Sequence, residues 1–236
     1  MLLMKNLVFS ILLLILVTPW TYAQKALNSG TIKMSITEVK SDDPQVEAQM
    51  QMMVGSETEL VFDGEEHVTN MSMMGGMINI KNYVNNAEKK MDMLMDMMGQ
   101  KLWVETTLDQ AQSPQERQVA EMSKISYDKN DRKTILGYSC YKMTLTNPEM
   151  EGMQIIAYVS EDIKTKANNL QGFQSLTFSG YPLEYTMSSP QFSLTMTTTE
   201  IKDAVDKSRL KLNTTGYKKM SMEEFQKSMG GGGFGF

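Results

Sequence analysis

A two-residue alternation of apolar and polar side chains runs through this chain from Gly30 onward, and it restricts the fold to sheet. Between residues 30 and 39, Ile32, Met34 and Ile36 fall on one side and Thr31, Lys33, Ser35 and Thr37 on the other, as in a strand with one buried face. The same period predicts strands at residues 58–62, 68–74, 77–83, 101–107, 134–145, 154–160, 183–187 and 192–202. These segments are rich in Thr, Ile, Tyr, Phe and Val and are bounded by Gly, Pro, Asn and Asp. Asp63-Gly64 and Gly75-Gly76 turn the chain, and Ser41-Asp42-Asp43-Pro44 reads as a loop. Residues 90–98 fit two periods. Strand spacing puts Met91, Met93, Met95 and Met97 on one face, whereas helix spacing groups Met91, Leu94, Met95 and Met98 with Gly99 as C-cap. The neighbouring hairpins favour the strand.

Helical signals are short. Ser113-Pro114-Gln115-Glu116 and Ser221-Met222-Glu223-Glu224 are capping boxes, opening helices to about Met122 and Met229. Residues 230–236 are expected to form a flexible glycine-rich tail. The residues alone point to a mainly β (α+β) fold, an antiparallel sandwich or barrel-like sheet with a few short helices, in one β-rich domain over residues 24–229.

The first residues read as an export signal. Lys5 supplies the positive start, residues 7–17 are apolar apart from Ser10, and Thr21-Tyr22-Ala23 ends in a small-x-small cleavage site. The apolar run falls short of the roughly 20 residues that span a bilayer. Cleavage is expected between Ala23 and Gln24, giving a periplasmic or extracellular, soluble chain. A lipid-anchored form needs a cysteine at the cleavage point, and Cys140 is the one cysteine. Losing Lys5 from the 23 basic residues leaves 22 against 28 acidic. That balance, with no basic block, speaks against nucleic acid and anionic membrane surfaces as partners.

Catalytic motifs are missing. His67 is the one histidine, so no histidine cluster can hold zinc or copper, and G-x-S-x-G, C-x-x-C, H-E-x-x-H and phosphate-loop patterns are absent. Asp128-Lys129-Asn130-Asp131 reads as a polar turn, because Lys133 and Ser139 stand where a calcium loop needs Gly and Glu. Asp63-Gly64-Glu65-Glu66-His67 reads as a solvated hairpin turn. Cys140 shares a strand face with Leu136 and Tyr138 and reads as a buried, inert thiol. The chain is expected not to be an enzyme and to need no cofactor.

Methionine is the anomaly. Nine methionines lie between Met71 and Met98. Thioether sulfur selects Cu(I), so Met71, Met73, Met91, Met93 and Met95 are candidate ligands for Cu(I) or Ag(I). Alternate residues on a strand stand about 6.8 Å apart, so such a site needs methionines from two strands or the helical form of residues 90–98. The same side chains also suit an adaptable apolar surface, with Met91, Met93, Met95, Met97, Ile32, Met34 and Ile36 lining a ligand. Packing alone, in a methionine-tolerant core of a structural or partner-binding module, is the third reading.

The segments Ile135-Leu136-Gly137-Tyr138-Ser139-Cys140-Tyr141-Lys142, Ala157-Tyr158-Val159-Ser160-Glu161-Asp162-Ile163, Gly180-Tyr181-Pro182-Leu183-Glu184 and Gly216-Tyr217-Lys218-Lys219-Met220, in that order, resemble a secreted family termed domain of unknown function 4412. The resemblance implies a fold like the LolA/LolB lipoprotein carriers, a curved incomplete barrel closed by helices. It implies no activity. With the apolar methionine face, the expectation is an exported carrier for lipid or another apolar ligand at the cell envelope.

Overall fold

Twelve strands form one sheet in the order β12-β6-β5-β4-β3-β2-β1-β11-β10-β9-β8-β7. They are seen in a computed structural model that describes residues 26–112, 114–148, 152–168, 170 and 176–228. The export signal over residues 1–23, the Ser113 cap, Met229 and the tail at 230–236 lie outside the described residues. The fold is mainly β, a curved antiparallel sheet that does not close into a barrel. β12 pairs with β6 in parallel, the one such pair among the described strands.

Two meanders flank a central hairpin-like pair. β1 (Ser29–Lys40) runs antiparallel to both β2 (Glu57–Asp63) and β11 (Ser193–Lys202). On one side follow β3 (Glu66–Met73), β4 (Ile78–Asn85), β5 (Lys90–Met97) and β6 (Gln100–Thr107). On the other lie β10 (Tyr181–Ser188), β9 (Gln154–Ser160), β8 (Tyr138–Thr146) and the edge strand β7 (Lys124–Ile135). Gly30 must be glycine, because a Cβ there would meet the Lys202 carbonyl at 2.5 Å. Thr198 Oγ1 donates to the Leu183 carbonyl at 2.6 Å beside the register shift between Pro182 and Glu184, satisfying an acceptor that the bulge removes from the ladder.

The larger core lies on one face of β1, β2 and β8–β11. Ile32, Met34 and Ile36 sit there among Leu60, Phe62, Met143, Leu145, Ile155, Leu183, Tyr185 and Met196, all buried. Ala167, Leu170 and Leu176, from the chain between β9 and β10, join this core. Helix α1 (Pro44–Met50) has no buried residue and ends in a short turn whose Met53, with Met50, touches the core. Helix α2 (Leu108–Ala111) follows β6, and α3 (Pro114–Met122) packs Val119 and Ala120 on the core.

The opposite face of β2–β6 is crossed by a strap between β11 and β12 (Lys218–Met220). Leu210 of the strap buries against Val61 and Val68, with Val205 and Tyr83 around it. Arg209 pairs with Glu59, and Lys207 with Asp63. Beyond β12, α4 (Met222–Ser228) opens with the expected box: Ser221 N donates to Glu224 Oε2 at 2.7 Å, and Glu224 N to Ser221 Oγ at 3.2 Å.

Four sequence expectations need correction. The 134–145 strand is two strands, β7 and β8, joined by a hairpin turn at Leu136-Gly137, where both residues have positive φ. The loop at Ser41–Pro44 contains a helix start, with Asp43 Oδ1 accepting from Gln45 N and Pro44 opening α1. Asp128–Asp131 is a bulge inside β7, not a turn between strands; Asp128 Oδ1 accepts from the backbone N–H of Asn130 and Asp131. His67 is a strand residue of β3, not part of a solvated turn.

Candidate ligand-binding face

Residues 90–98 take the strand form, β5, and the register places Met91, Met93, Met95 and Met97 on one face. Four cross-strand rows follow from the pairing of β3 through β6. They read Met73–Ile78–Met97–Gln100, Met71–Ile80–Met95–Leu102, Thr69–Asn82–Met93–Val104 and His67–Val84–Met91–Thr106. These rows carry no charged side chain, and His67 is their one titratable group. The rows on the opposite face carry Asp92, Asp96, Lys81, Lys90, Lys101 and Glu105. There Asp92 is buried but accepts from Trp103 Nε1 at 2.8 Å and pairs with Lys90 at 3.4 Å, so its charge is compensated. The two faces of β3–β6 therefore differ sharply in polarity.

The methionine face is its own cluster, separate from the larger core. Ile80, Met95, Val104 and Phe225 are buried in it, with Met71, Met73, Ile78, Met93, Met97, Leu102, Met220 and Met222 partly buried around them. Met95 is 1% exposed. Phe225 of α4 is the buried side chain that the C-terminal segment brings to this face, and Lys219 holds β12 at the edge by pairing with Glu105 and lying 4.4 Å from the centre of the Trp103 ring. Met91 lies one row further on, between Val84 and Thr106. At the other end, Met74, Met77 and Met98 are exposed at two hairpin tips, tied together by Met98 N donating to the Met77 carbonyl at 3.0 Å.

The sequence-derived lining set divides between two places. Met91, Met93, Met95 and Met97 share the methionine face, whereas Ile32, Met34 and Ile36 belong to the larger, closed core. The candidate soft-metal ligands share a face too, but Met71 and Met73 of β3 are set apart from Met91, Met93 and Met95 of β5 by the intervening strand β4. An intervening strand thus separates them by about 10 Å of backbone. Among the described residues no group of three or more His, Cys, Asp and Glu could hold a metal ion.

Two features escaped the linear sequence. Burial lowers the His67 pKa to about 4, so the ring is neutral at physiological pH. Asn82, directly opposite Thr69, has a buried Oδ1 with no hydrogen-bond partner among the described residues. Neither can be found by periodicity, because both depend on which residues the register sets side by side. Elsewhere, Cys140 is buried and its thiol is pushed up to about 11 by desolvation, which keeps it protonated and weakly nucleophilic. A separate groove of about 930 Å³ is lined by Leu27, Leu136, Tyr138 and Ile201 together with Glu200, Lys202 and Asp203. No described helix is long and apolar enough to cross a membrane.

No family model matches the chain, and no curated protein matches it. Its structure is similar to the MucA/MucB complex of Pseudomonas aeruginosa, at 9% identity over 80% of this chain with a TM-score of 0.44. The chain spans 57% of the MucA/MucB chain it matches. It is also similar to the lipoprotein LppX of Mycobacterium tuberculosis, at 8% identity over 76% of this chain and 89% of that one, TM-score 0.36. LprF from Mycobacterium bovis matches at 11% identity over 77% of this chain and 89% of its own, TM-score 0.32.

Proposed function

We propose that this chain is an exported, non-enzymatic binding protein that carries an apolar ligand, a lipid or lipid-linked molecule, on the methionine face of β3–β6. One observation carries the reading: on a contiguous, uncharged face, Met71, Met73, Ile78, Met93, Met97 and Leu102 stay only partly buried around a buried centre of Ile80, Met95 and Val104, while most of the larger apolar set on the same sheet is buried. Thioether side chains re-pack at little cost, which suits ligands of variable shape. From the row of Met91 to that of Met97 the face extends about 20 Å, comparable with an extended acyl chain. The export signal ending at Ala23 and the resemblance to the domain of unknown function 4412 family belong to the same proposal and would place the carrier beside membranes.

Native mass spectrometry of protein purified without detergent tests it. Co-purifying lipid that exchanges with added labelled lipid is the expected result. An empty protein that neither binds an apolar dye nor exchanges labelled lipid would leave the face as packing surface for a partner or for the chain itself.

A further inference from the structure

The methionine face contains one polar group that its neighbours do not serve. Asn82 sits between Thr69 and Met93 in its row, and its buried Oδ1 has no donor among the described residues. A buried carboxamide oxygen without a donor is costly, and native interiors retain few. One diagonal step away on β3 is His67, opposite Val84, about 7–8 Å off by sheet geometry and within reach of a shared small group. Asn86 Nδ2 donates to the Glu65 carbonyl at 2.8 Å and lies 3.4 Å from His67 Nδ1. The carbonyl fixes which end of the Asn86 amide is nitrogen, and an amide nitrogen only donates. Nδ1 of His67 is therefore the acceptor, and its ring proton sits on Nε2. Asn82 supplies an acceptor and His67 a donor on the same face, with the Thr69 hydroxyl directly opposite Asn82. The remaining rows toward Met97 are apolar apart from Gln100 beside the β5–β6 turn. A charged headgroup placed here would be desolvated with no opposite charge to meet it.

We infer that the ligand is an uncharged amphiphile, its chain lying along the ladder toward Met97 and its hydroxyl or amide headgroup held by Asn82 and His67. This rests on the carrier reading above and adds the headgroup class to it.

Displacement of a bound apolar dye by two ligands of equal acyl length is the test: a monoacylglycerol, which has hydroxyl donors, and the corresponding methyl ester, which has none. The unsubstituted protein should hold the monoacylglycerol at least about fivefold tighter, the worth of one net hydrogen bond. The sodium salt of the same fatty acid should bind more weakly than the monoacylglycerol. Asn82→Leu should abolish the preference for the monoacylglycerol over the methyl ester without lowering the thermal midpoint, since it removes an unserved polar group. Asn82→Val, a better strand former, is the second variant should leucine not fit. Equal affinity for monoacylglycerol and ester, or a preference that survives in a folded Asn82 variant, would overturn the headgroup assignment and leave the carrier reading intact. If the dye and all three ligands fail to bind, both fall.

Discussion

Replacing Met143 and Met93 by alanine, one at a time, separates a sealed core from an open face. Both methionines lie on inner strands and point to the same side of the sheet as their clusters. The loss of strand propensity on going to alanine is therefore common to the pair and cancels in the comparison. Met143 is 0% exposed, between Tyr127 and Ala157 in its row. Its truncation forfeits most of a buried side chain and leaves a cavity in packed surroundings, for a loss of about 3 kcal/mol. Met93 is only partly buried between Asn82 and Val104, so a smaller share of the transfer free energy is at stake and no closed cavity results, for about 1–2 kcal/mol. Urea unfolding followed by circular dichroism measures both, with an unchanged m-value confirming that the unfolded state is not the source. A loss at Met93 equal to that at Met143 would mean that the methionine face is sealed, and the case for a binding face there would fail.

Met98 sits at φ 53° and is 85% exposed at the β5–β6 turn, a conformation that suits asparagine or glycine better. Met98→Asn should raise stability by about 0.5–1 kcal/mol by relieving that conformation, and a lowered thermal midpoint would show that the tip is packed. The neutral His67 links the fold to acid: its pKa is about 4 in the fold against 6.5 when unfolded. Between those values the unfolded chain binds more protons, so this residue's contribution is intact above pH 6.5 and is progressively lost down to pH 4. His67→Gln should flatten the pH dependence of the unfolding midpoint over that window, and an unaltered profile would contradict the burial of the ring.

Much of the sheet was legible because burial of one face imprints a period of two. Ile32, Met34 and Ile36, and the Met91–Met97 ladder, carry that imprint directly, and the strand form of residues 90–98 followed from the hairpins beside it. The edge strand β7 was nearly invisible: most of its side chains are exposed, so no apolar alternation marks it, and its bulge at Asp128–Arg132 breaks the period further. Leu136 hid the β7–β8 turn because an apolar, non-glycine residue at positive φ reads as more strand. Helix α1 has a proper Asp-Pro start, but with no buried residue it leaves no 3.6-residue stripe to accompany the cap. For the site, the ladder was visible and its boundaries were not. Whether Ile32 shares a cluster with Met93, or His67 with Asn82, depends on register and on a strap whose one buried anchor, Leu210, stands in a polar stretch.

The location of the ligand is tested most directly by nuclear magnetic resonance of the protein labelled with ¹³C at the methionine methyls. Each thioether methyl reports its own surroundings, and the two clusters supply both probe and control. On titration with a monoacylglycerol, the signals of Met91, Met93, Met95 and Met97, with Met71 and Met73 across β4, should shift together and saturate. Those of Met34, Met143 and Met196 in the larger core should stay in place. Shifts confined to the larger core, or none at all at saturating ligand, would contradict a carrier built on the methionine face.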